Sequence, residues 1–232
     1  MHEPQWSTGR RLTADALTGT PRAMARQLLG QTLVRKLPSG EMLRGTIVEV
    51  EAYLARRDPA SHSHRGPTGK NRSMFGPPGT LYVYPIHSRH CLNIVTEPAG
   101  TGSAILIRAL EPFEGWFHMA AARRAPPLQD SAIRWPGWSR HLCSGPARLC
   151  QAMSIDRDQD GLDLTTSDQV WLEEPPLEIQ TRRFRVRQGP RIGISQAQAL
   201  PLRYFIDGHH CVSGCARDHS RGRYWTFLQP GE

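Results

Sequence analysis

Two glutamates and a tyrosine stand at alternate positions of the stretch IVEVEAY, residues 47–53. Successive side chains of a β-strand point to opposite faces of the sheet. As a strand, the stretch therefore places Val48, Val50 and Ala52 on one face, and Ile47, Glu49, Glu51 and Tyr53 on the other. The polar face has two interpretations. It is either the solvated side of an antiparallel sheet, or a pocket in which crowding and burial raise the pKa of a carboxylate and make it usable as a base.

A second group of reactive side chains occurs in HHCVSGCARDHS, at His209, His210, Cys211, Cys215 and His219. Zinc is conceivable there, but Cys-x3-Cys-x3-His is not a strong spacing for a structural site. A polar tail without metal is the favoured interpretation. The sequence has no phosphate-binding glycine motif and no nucleophile-elbow serine, which disfavours nucleotide-driven chemistry.

The chain carries an excess of positive charge. Lys and Arg number 29 against 21 Asp and Glu, a formal net charge of +8, and Lys36 and Lys70 are the only lysines. The excess indicates an anionic partner, with nucleic acid the first candidate. A GC-rich genome would produce the same arginine bias without any function.

The remaining composition is typical of one globular domain. A chain of 232 residues, 38% hydrophobic, can bury a core. No stretch approaches the roughly 18 apolar residues that span a membrane, and no apolar signal segment is visible. Five cysteines, an odd number, fit reduced thiols better than a disulfide framework. We therefore expect a cytoplasmic, bacterial protein.

Helix-capping and turn residues in the sequence predict the elements that position these residues. GTPRAMARQLLG predicts a helix with Thr20 as N-cap, Pro21 in the first turn and Gly30 beyond the end. QTLVRKL and EMLRGTIVEVEAY predict a hairpin around PSGE. Further strands are predicted at TLYVYPI, CLNIVT, AILIRALE, VWLEE and RFRVRQGPRIGI, and further helices at FEGWFHMAAARR and, with Ser144 as cap, at CSGPARLCQAMSI.

This mixture of strands and helices lacks βαβ regularity and predicts an α+β fold with a largely antiparallel sheet flanked by helices. Residues 55–79 form a long polar loop, and loops of this length are usually functional or disordered. We expect a flexible arm at residues 1–12, the folded domain at 13–213, and a tail of uncertain order at 214–232.

Six segments stand in a distinctive order: EVEAY, SHS, NRSMFGPPGTLYVY, HCLN, ILIRALEP and LCSGPARLCQA. In this order they resemble the alkyladenine (3-methyladenine, N-methylpurine) DNA glycosylase family. The resemblance runs from about Leu17 to Ser213 and includes PRIGI and PLRYFI near its end. The resemblance implies a single mixed domain with a curved antiparallel sheet. It also implies a monomeric, monofunctional glycosylase of base excision repair that flips alkylated or deaminated purines out of double-stranded DNA. No metal or organic cofactor is implied.

The resemblance also assigns roles to individual residues. Glu51 falls on the carboxylate that activates water, and Glu49 is left as either an exposed rim residue or a hydrogen-bonded support. The flipped base is held by Tyr53, His62 and Tyr84, with Asn93 at its edge. Arg108 matches an arginine that holds DNA backbone near the lesion, and Arg148 falls beside a helix N-terminus where a cation is usual.

One segment departs from the family pattern. Where the family usually has a tyrosine and a glycine between YVY and HCLN, this chain has His87 and Ser88. We expect His87 to enter the space left by the flipped base, with Arg89 as the alternative. Two other functions stay open: a catalytically silent nucleic-acid-binding module of the same shape, and, least favoured, a zinc-dependent hydrolase that uses the His/Cys segment.

Overall fold

A nine-stranded antiparallel sheet organises the protein in a computed structural model that describes residues 6–125, 136–180, 184–220 and 223–226. The strands are β1 (Thr32–Lys36), β2 (Met42–Tyr53), β3 (Leu81–Ile86), β4 (Arg89–Ile94), β5 (Ala104–Glu114), β6 (Val170–Glu173), β7 (Arg185–Gly189), β8 (Arg203–Ile206) and β9 (Arg223–Thr226). Their order is β3-β4-β5-β2-β8-β7-β9, with β1 beside both β2 and β6. The sheet curls into a half-barrel, which confirms the predicted α+β fold.

Within the described ranges, six helices accompany the sheet: α1 (Pro21–Gln27), α2 (Trp116–Arg123), α3 (Pro136–Cys143), α4 (Pro146–Ala152), α5 (Leu177–Gln180) and α6 (Ala216–Ser220). Short 3-10 turns lie at Asp15–Leu17, Arg72–Phe75 and Arg157–Gln159. Helices α1 and α4 pack their apolar sides on the sheet, where Met24, Leu149 and Ala152 join Val48 and Val50 in the main core. No helix in the described ranges is long and apolar enough to cross a membrane.

Strand β2 is the centre of the sheet. One of its edges pairs with β5 from Arg44 to Tyr53, and its other edge pairs first with β1 and then, at Glu49–Glu51, with β8. Glu49 and Glu51 therefore have strands on both sides, and each has a relative exposure of 0%. The interpretation of this face as a solvated one is wrong, because both faces of β2 are buried here.

A β-bulge interrupts the pairing of β2 with β5 beside these glutamates. Glu49 lies opposite Ala109 and Val50 lies opposite Ile107, so Arg108 is the extra residue on β5. Bulges next to functional sites commonly redirect a side chain. Here the bulge brings the Arg108 guanidinium to the face that carries Glu49 and Glu51.

The local predictions hold for most elements. Helix α1 begins after Thr20, whose side chain accepts a hydrogen bond from the Ala23 N–H, and Gly30 follows it with a φ of 87°. The prediction that Ser144 caps α4 is wrong. The cap position is Gly145, with no side-chain hydrogen bond, and Ser144 instead forms a β-bridge with Ala109.

One other prediction needed correction, and some elements were not predicted. The strand predicted over RFRVRQGPRIGI ends at Gly189, and PRIGI forms irregular backbone. Strands β8 and β9 and helices α3, α5 and α6 were not predicted, and residues 126–135, directly before α3, lie outside the described residues.

The segments at the two ends contact the domain where they are described. The Trp6 indole N–H donates to the Phe113 carbonyl, and Arg11 forms a β-bridge with Glu173. In the expected tail, α6 is helical and β9 pairs with β7. The boundaries at residues 13 and 213 stay predictions.

Candidate active site

The Glu51 carboxylate is held by three donors. Its Oε1 atom accepts a hydrogen bond from the Ile192 backbone N–H at 2.7 Å and lies 3.2 Å from Nη1 of Arg108. Its Oε2 atom accepts a hydrogen bond from the Tyr53 hydroxyl at 3.0 Å. A buried carboxylate with this number of donors is fixed in orientation, because each oxygen is tied to a separate element.

Glu49 lies beneath the same site. It is a buried, hydrogen-bonded support, which is the second of the two roles left open for it. Arg203 donates from Nε to Glu49 Oε1 at 2.5 Å, Arg108 donates from Nε to the same atom at 3.1 Å, and the Ser213 N–H donates to Oε2 at 2.7 Å. Burial pushes the pKa of Glu49 upward, but the positive charges of Arg108 and Arg203 and the hydrogen bonds from Ser213 together hold it below its ordinary value. For Glu49, the expectation of a raised pKa is wrong.

Arg108 lies between the two glutamates and is almost completely buried. Besides its contacts with both carboxylates, it donates from Nη2 to the Ser213 hydroxyl at 3.1 Å. The four charges of Glu49, Glu51, Arg108 and Arg203 thus form one neutral buried cluster. Contact between Arg108 and DNA backbone stays a prediction, and the contacts described here all lie within the protein.

Tyr53 packs against a second buried ion pair. The guanidinium carbon of Arg191 lies 4.5 Å from the centroid of the Tyr53 ring. The same guanidinium binds Asp58 through two parallel contacts of 2.7 Å, and neither side chain has any exposed surface. Burial, together with the nearby charge of Glu51, raises the pKa of the Tyr53 hydroxyl, which therefore stays protonated and donates.

His62 and two tyrosines form an aromatic cluster. The His62 and Tyr84 rings meet edge to face with centroids 4.5 Å apart, and Nδ1 of His62 lies 2.9 Å from the Tyr82 hydroxyl. Burial lowers the pKa of His62, so its ring is neutral at pH 7. Within the described part of the chain, no ring contact joins Tyr53 to His62 or Tyr84, although Tyr53 and Tyr84 pack against the same small apolar cluster.

Asn93 is positioned by the register of the sheet. It pairs with Tyr82 on β3 and with Leu106 on β5, and Leu106 in turn pairs with Glu51. The Asn93 amide donates to the Tyr82 carbonyl at 3.0 Å. The sheet thus sets Asn93 and Glu51 in one row across neighbouring strands, which is a placement that no local sequence pattern specifies.

The hairpin between β3 and β4 has His87 at its exposed tip, with a φ of 51°. Arg89 is also exposed, but its guanidinium donates to the Gln151 side-chain oxygen, which also accepts a hydrogen bond from Arg123. Burial lowers the pKa of Arg123, and the charges of Arg148 and Arg89 lower it further. Arg89, Arg123 and Arg148 therefore share one positively charged surface beside the hairpin.

The His/Cys segment divides in the structure. His209, His210 and Cys211 have ligand atoms within 4.8 Å of one another and are the one potential metal-binding group found among the described residues. Cys215 is exposed, and His219 donates from Nε2 to the Ser213 carbonyl at 2.8 Å. The Cys-x3-Cys-x3-His spacing therefore does not form one site.

The sequence predictions missed several residues of the site. Arg191 packs on Tyr53 and Tyr82 contacts His62, both predicted site residues. Asp58 joins the site through Arg191, and Arg203 joins it through Glu49. The only available signal was indirect, since Arg191 and Arg203 lie in PRIGI and PLRYFI, two segments that resemble the family. Asp58 has no such signal, because its partner stands 133 positions away.

The positively charged surface fits an anionic partner such as nucleic acid, and a buried carboxylate of fixed orientation fits a hydrolase. The model of the Methylpurine-DNA glycosylase family matches residues 15–210, and the chain belongs to this family. It is thus a DNA glycosylase of DNA repair, a hydrolase whose family acts on DNA.

Individual relatives agree with this assignment. A putative 3-methyladenine DNA glycosylase of Rhodopirellula baltica is 46% identical over 94% of this chain and 89% of that protein. The human DNA-3-methyladenine glycosylase is 44% identical over 82% of this chain, and the mouse protein is 46% identical over the same share. The matched region is 63% of the human protein and 57% of the mouse protein.

Proposed function

We propose that the protein is a monofunctional glycosylase that flips alkylated or deaminated purines out of duplex DNA and hydrolyses their N-glycosidic bond with a water activated by Glu51. The candidate substrates are 3-methyladenine, 7-methylguanine, hypoxanthine and ethenoadenine. The observation that carries this proposal is the Glu51 carboxylate, buried and oriented by Ile192, Arg108 and Tyr53. The names of the relatives support the class of lesion.

We assign the aromatic residues to two walls around a flipped base. In this assignment His62 and Tyr84, which contact each other edge to face, line one side of the base, and Tyr53 with Arg191 behind it lines the other. Flipping costs a few kcal/mol, and stacking on aromatic faces recovers about 1–3 kcal/mol per base. Alkylated purines are electron-poor and sometimes cationic, which strengthens their attraction to a tyrosine face. Asn93 would then contact the edge of the base.

The hydrolysis step balances around one carboxylate. The bond between the sugar C1′ and the purine nitrogen breaks, and the base leaves with the electron pair. The sugar gains oxocarbenium character, which the negative charge of Glu51 stabilises. Water attacks C1′ and transfers a proton to Glu51. That proton passes on to the released base when a neutral purine has left as an anion, and to solvent when a cationic purine has left as a neutral base. Tyr53 and Arg108 keep the carboxylate aimed at the sugar, because they occupy its two oxygens from separate elements.

The test is the release of free base from a duplex that carries one hypoxanthine or ethenoadenine. Glu51→Gln should abolish release of the purine and keep lesion-DNA affinity within about tenfold. The amide retains the shape of the carboxylate but cannot accept a proton from water. In Glu49→Gln, the single-turnover rate of purine release per folded molecule should fall much less than in Glu51→Gln. Equal losses in the two variants would contradict the assignment to Glu51, and DNA binding without any release by the wild type would indicate a silent binding module.

A further inference from the structure

The ion pair between Arg191 and Asp58 has no part in the hydrolysis step described above. Both side chains are fully buried, and they bind through two contacts of 2.7 Å. Removing two charges from water carries a desolvation cost, and a well-packed apolar pair of similar volume is often at least as stable. The position of this pair therefore calls for a reason other than stability.

The arginine end of the pair contacts the end of β2. Arg191 donates from Nη1 to the Ala52 carbonyl at 3.1 Å and covers one face of the Tyr53 ring. The next residue, Ile192, donates its backbone N–H to Glu51. Two consecutive residues of the 190–193 segment thus hold three consecutive residues of β2, of which Glu51 and Tyr53 belong to the site.

The aspartate end of the pair holds the loop that carries His62. Oδ2 of Asp58 accepts a hydrogen bond from the Leu54 N–H at 3.0 Å, and Oδ1 accepts one from the Ala60 N–H at 3.3 Å. The Asp58 carbonyl accepts a hydrogen bond from the Ser61 N–H, directly before His62. The pair therefore joins the two proposed walls of the base site through one rigid contact.

We propose that Arg191 and Asp58 are positioning residues, which set the distance between Tyr53 and the His62 loop and hold the Glu51 carboxylate in its reactive orientation. This inference rests on the proposed function. Because the guanidinium covers one face of Tyr53, a base stacks only on the other face. Because Asp58 neutralises the guanidinium, the free face keeps its attraction for a cationic purine.

Substitutions of Arg191 and of Asp58 test different parts of this proposal. Arg191→Lys keeps the charge but loses the planar fork that contacts Asp58 twice and lies against the ring. Asp58→Asn leaves an uncompensated cation behind Tyr53, which should act most strongly against cationic lesions. The control is Arg44→Met, which removes the ion pair with Glu114 near the other end of β2, away from the site.

The experiment measures single-turnover release of 7-methylguanine and hypoxanthine, lesion-DNA Kd and Tm for each variant, with rates expressed per folded molecule. Arg191→Lys should lower release of both bases by about tenfold or more, because small displacements of reacting groups are costly, with Kd within about threefold. Asp58→Asn should lower release of 7-methylguanine about threefold or more beyond its effect on hypoxanthine. Arg44→Met should lower Tm and leave release unchanged.

Release by Arg191→Lys within about twofold of the wild type would overturn the proposal, even if Asp58→Asn does not fold. Loss of release by Arg44→Met to the same extent as by Arg191→Lys would also overturn it, because the effect would then be general destabilisation. A wild type that binds lesion DNA and releases none of the four candidate bases would instead refute the proposed function, and the positioning role with it.

Discussion

Replacement of Glu49 by glutamine should strongly destabilise the protein. Glu49 is one of four charges in the neutral buried cluster with Glu51, Arg108 and Arg203, and its carboxylate accepts three hydrogen bonds. The amide keeps one acceptor oxygen but leaves two buried guanidinium groups with one carboxylate. Breaking a buried ion pair from one side costs about 3–5 kcal/mol. For a domain of this size, Tm should fall by roughly 6–20 °C.

The pH dependence of this loss follows from the lowered pKa of Glu49. A carboxyl group whose folded pKa lies below its unfolded value stabilises the protein above the unfolded pKa, and this contribution is lost as the pH falls through the folded pKa. The difference in unfolding free energy between wild type and Glu49→Gln should therefore be constant near neutral pH. It should narrow as the pH falls below the ordinary value of 4.5.

Urea denaturation followed by tryptophan fluorescence, from pH 7 to pH 3.5, measures this difference. The control is Glu174→Gln, which removes a carboxylate from an exposed ion pair with Arg10 and should leave the unfolding free energy nearly unchanged. A difference in unfolding free energy of less than about 1 kcal/mol between wild type and Glu49→Gln at pH 7 would refute the reasoning. A difference that does not become smaller in acid would refute it too.

Two further predictions concern the chemistry on DNA. His87→Ala should lower excision of a well-paired hypoxanthine more than Arg89→Ala does, because His87 is at the exposed hairpin tip and Arg89 is bound to Gln151. The measurement is the single-turnover rate on matched and mismatched duplexes, and a larger loss in Arg89→Ala would show that Arg89 is the inserted residue. Borohydride should trap no covalent adduct with DNA, because the imine that it reduces needs an amine and the only lysine side chains are Lys36 and Lys70. A trapped adduct on a denaturing gel would contradict a monofunctional mechanism.

The sequence by itself determined most of the elements and the identity of the candidate catalytic set. Thr20, Pro21 and Gly30 specify a helix by local rules, and the alternation of IVEVEAY specifies a strand, because these signals act between neighbours in the chain. The order of the six family-like segments led to Glu51, Tyr53, His62, Tyr84 and Asn93, and the chain's membership in the family is established. Their individual roles stay predictions.

The tertiary structure alone decided the environment of those residues. Whether the glutamate face of β2 meets water depends on which strands flank it, and burial of Glu49 depends on β8, which contributes Arg203 from 154 positions away. The direction of its pKa shift follows from the same contact, since burial alone would raise it. The pair of Asp58 and Arg191 is likewise a long-range contact. Local propensities carry no information about such partners, because the interaction exists only after the sheet has formed.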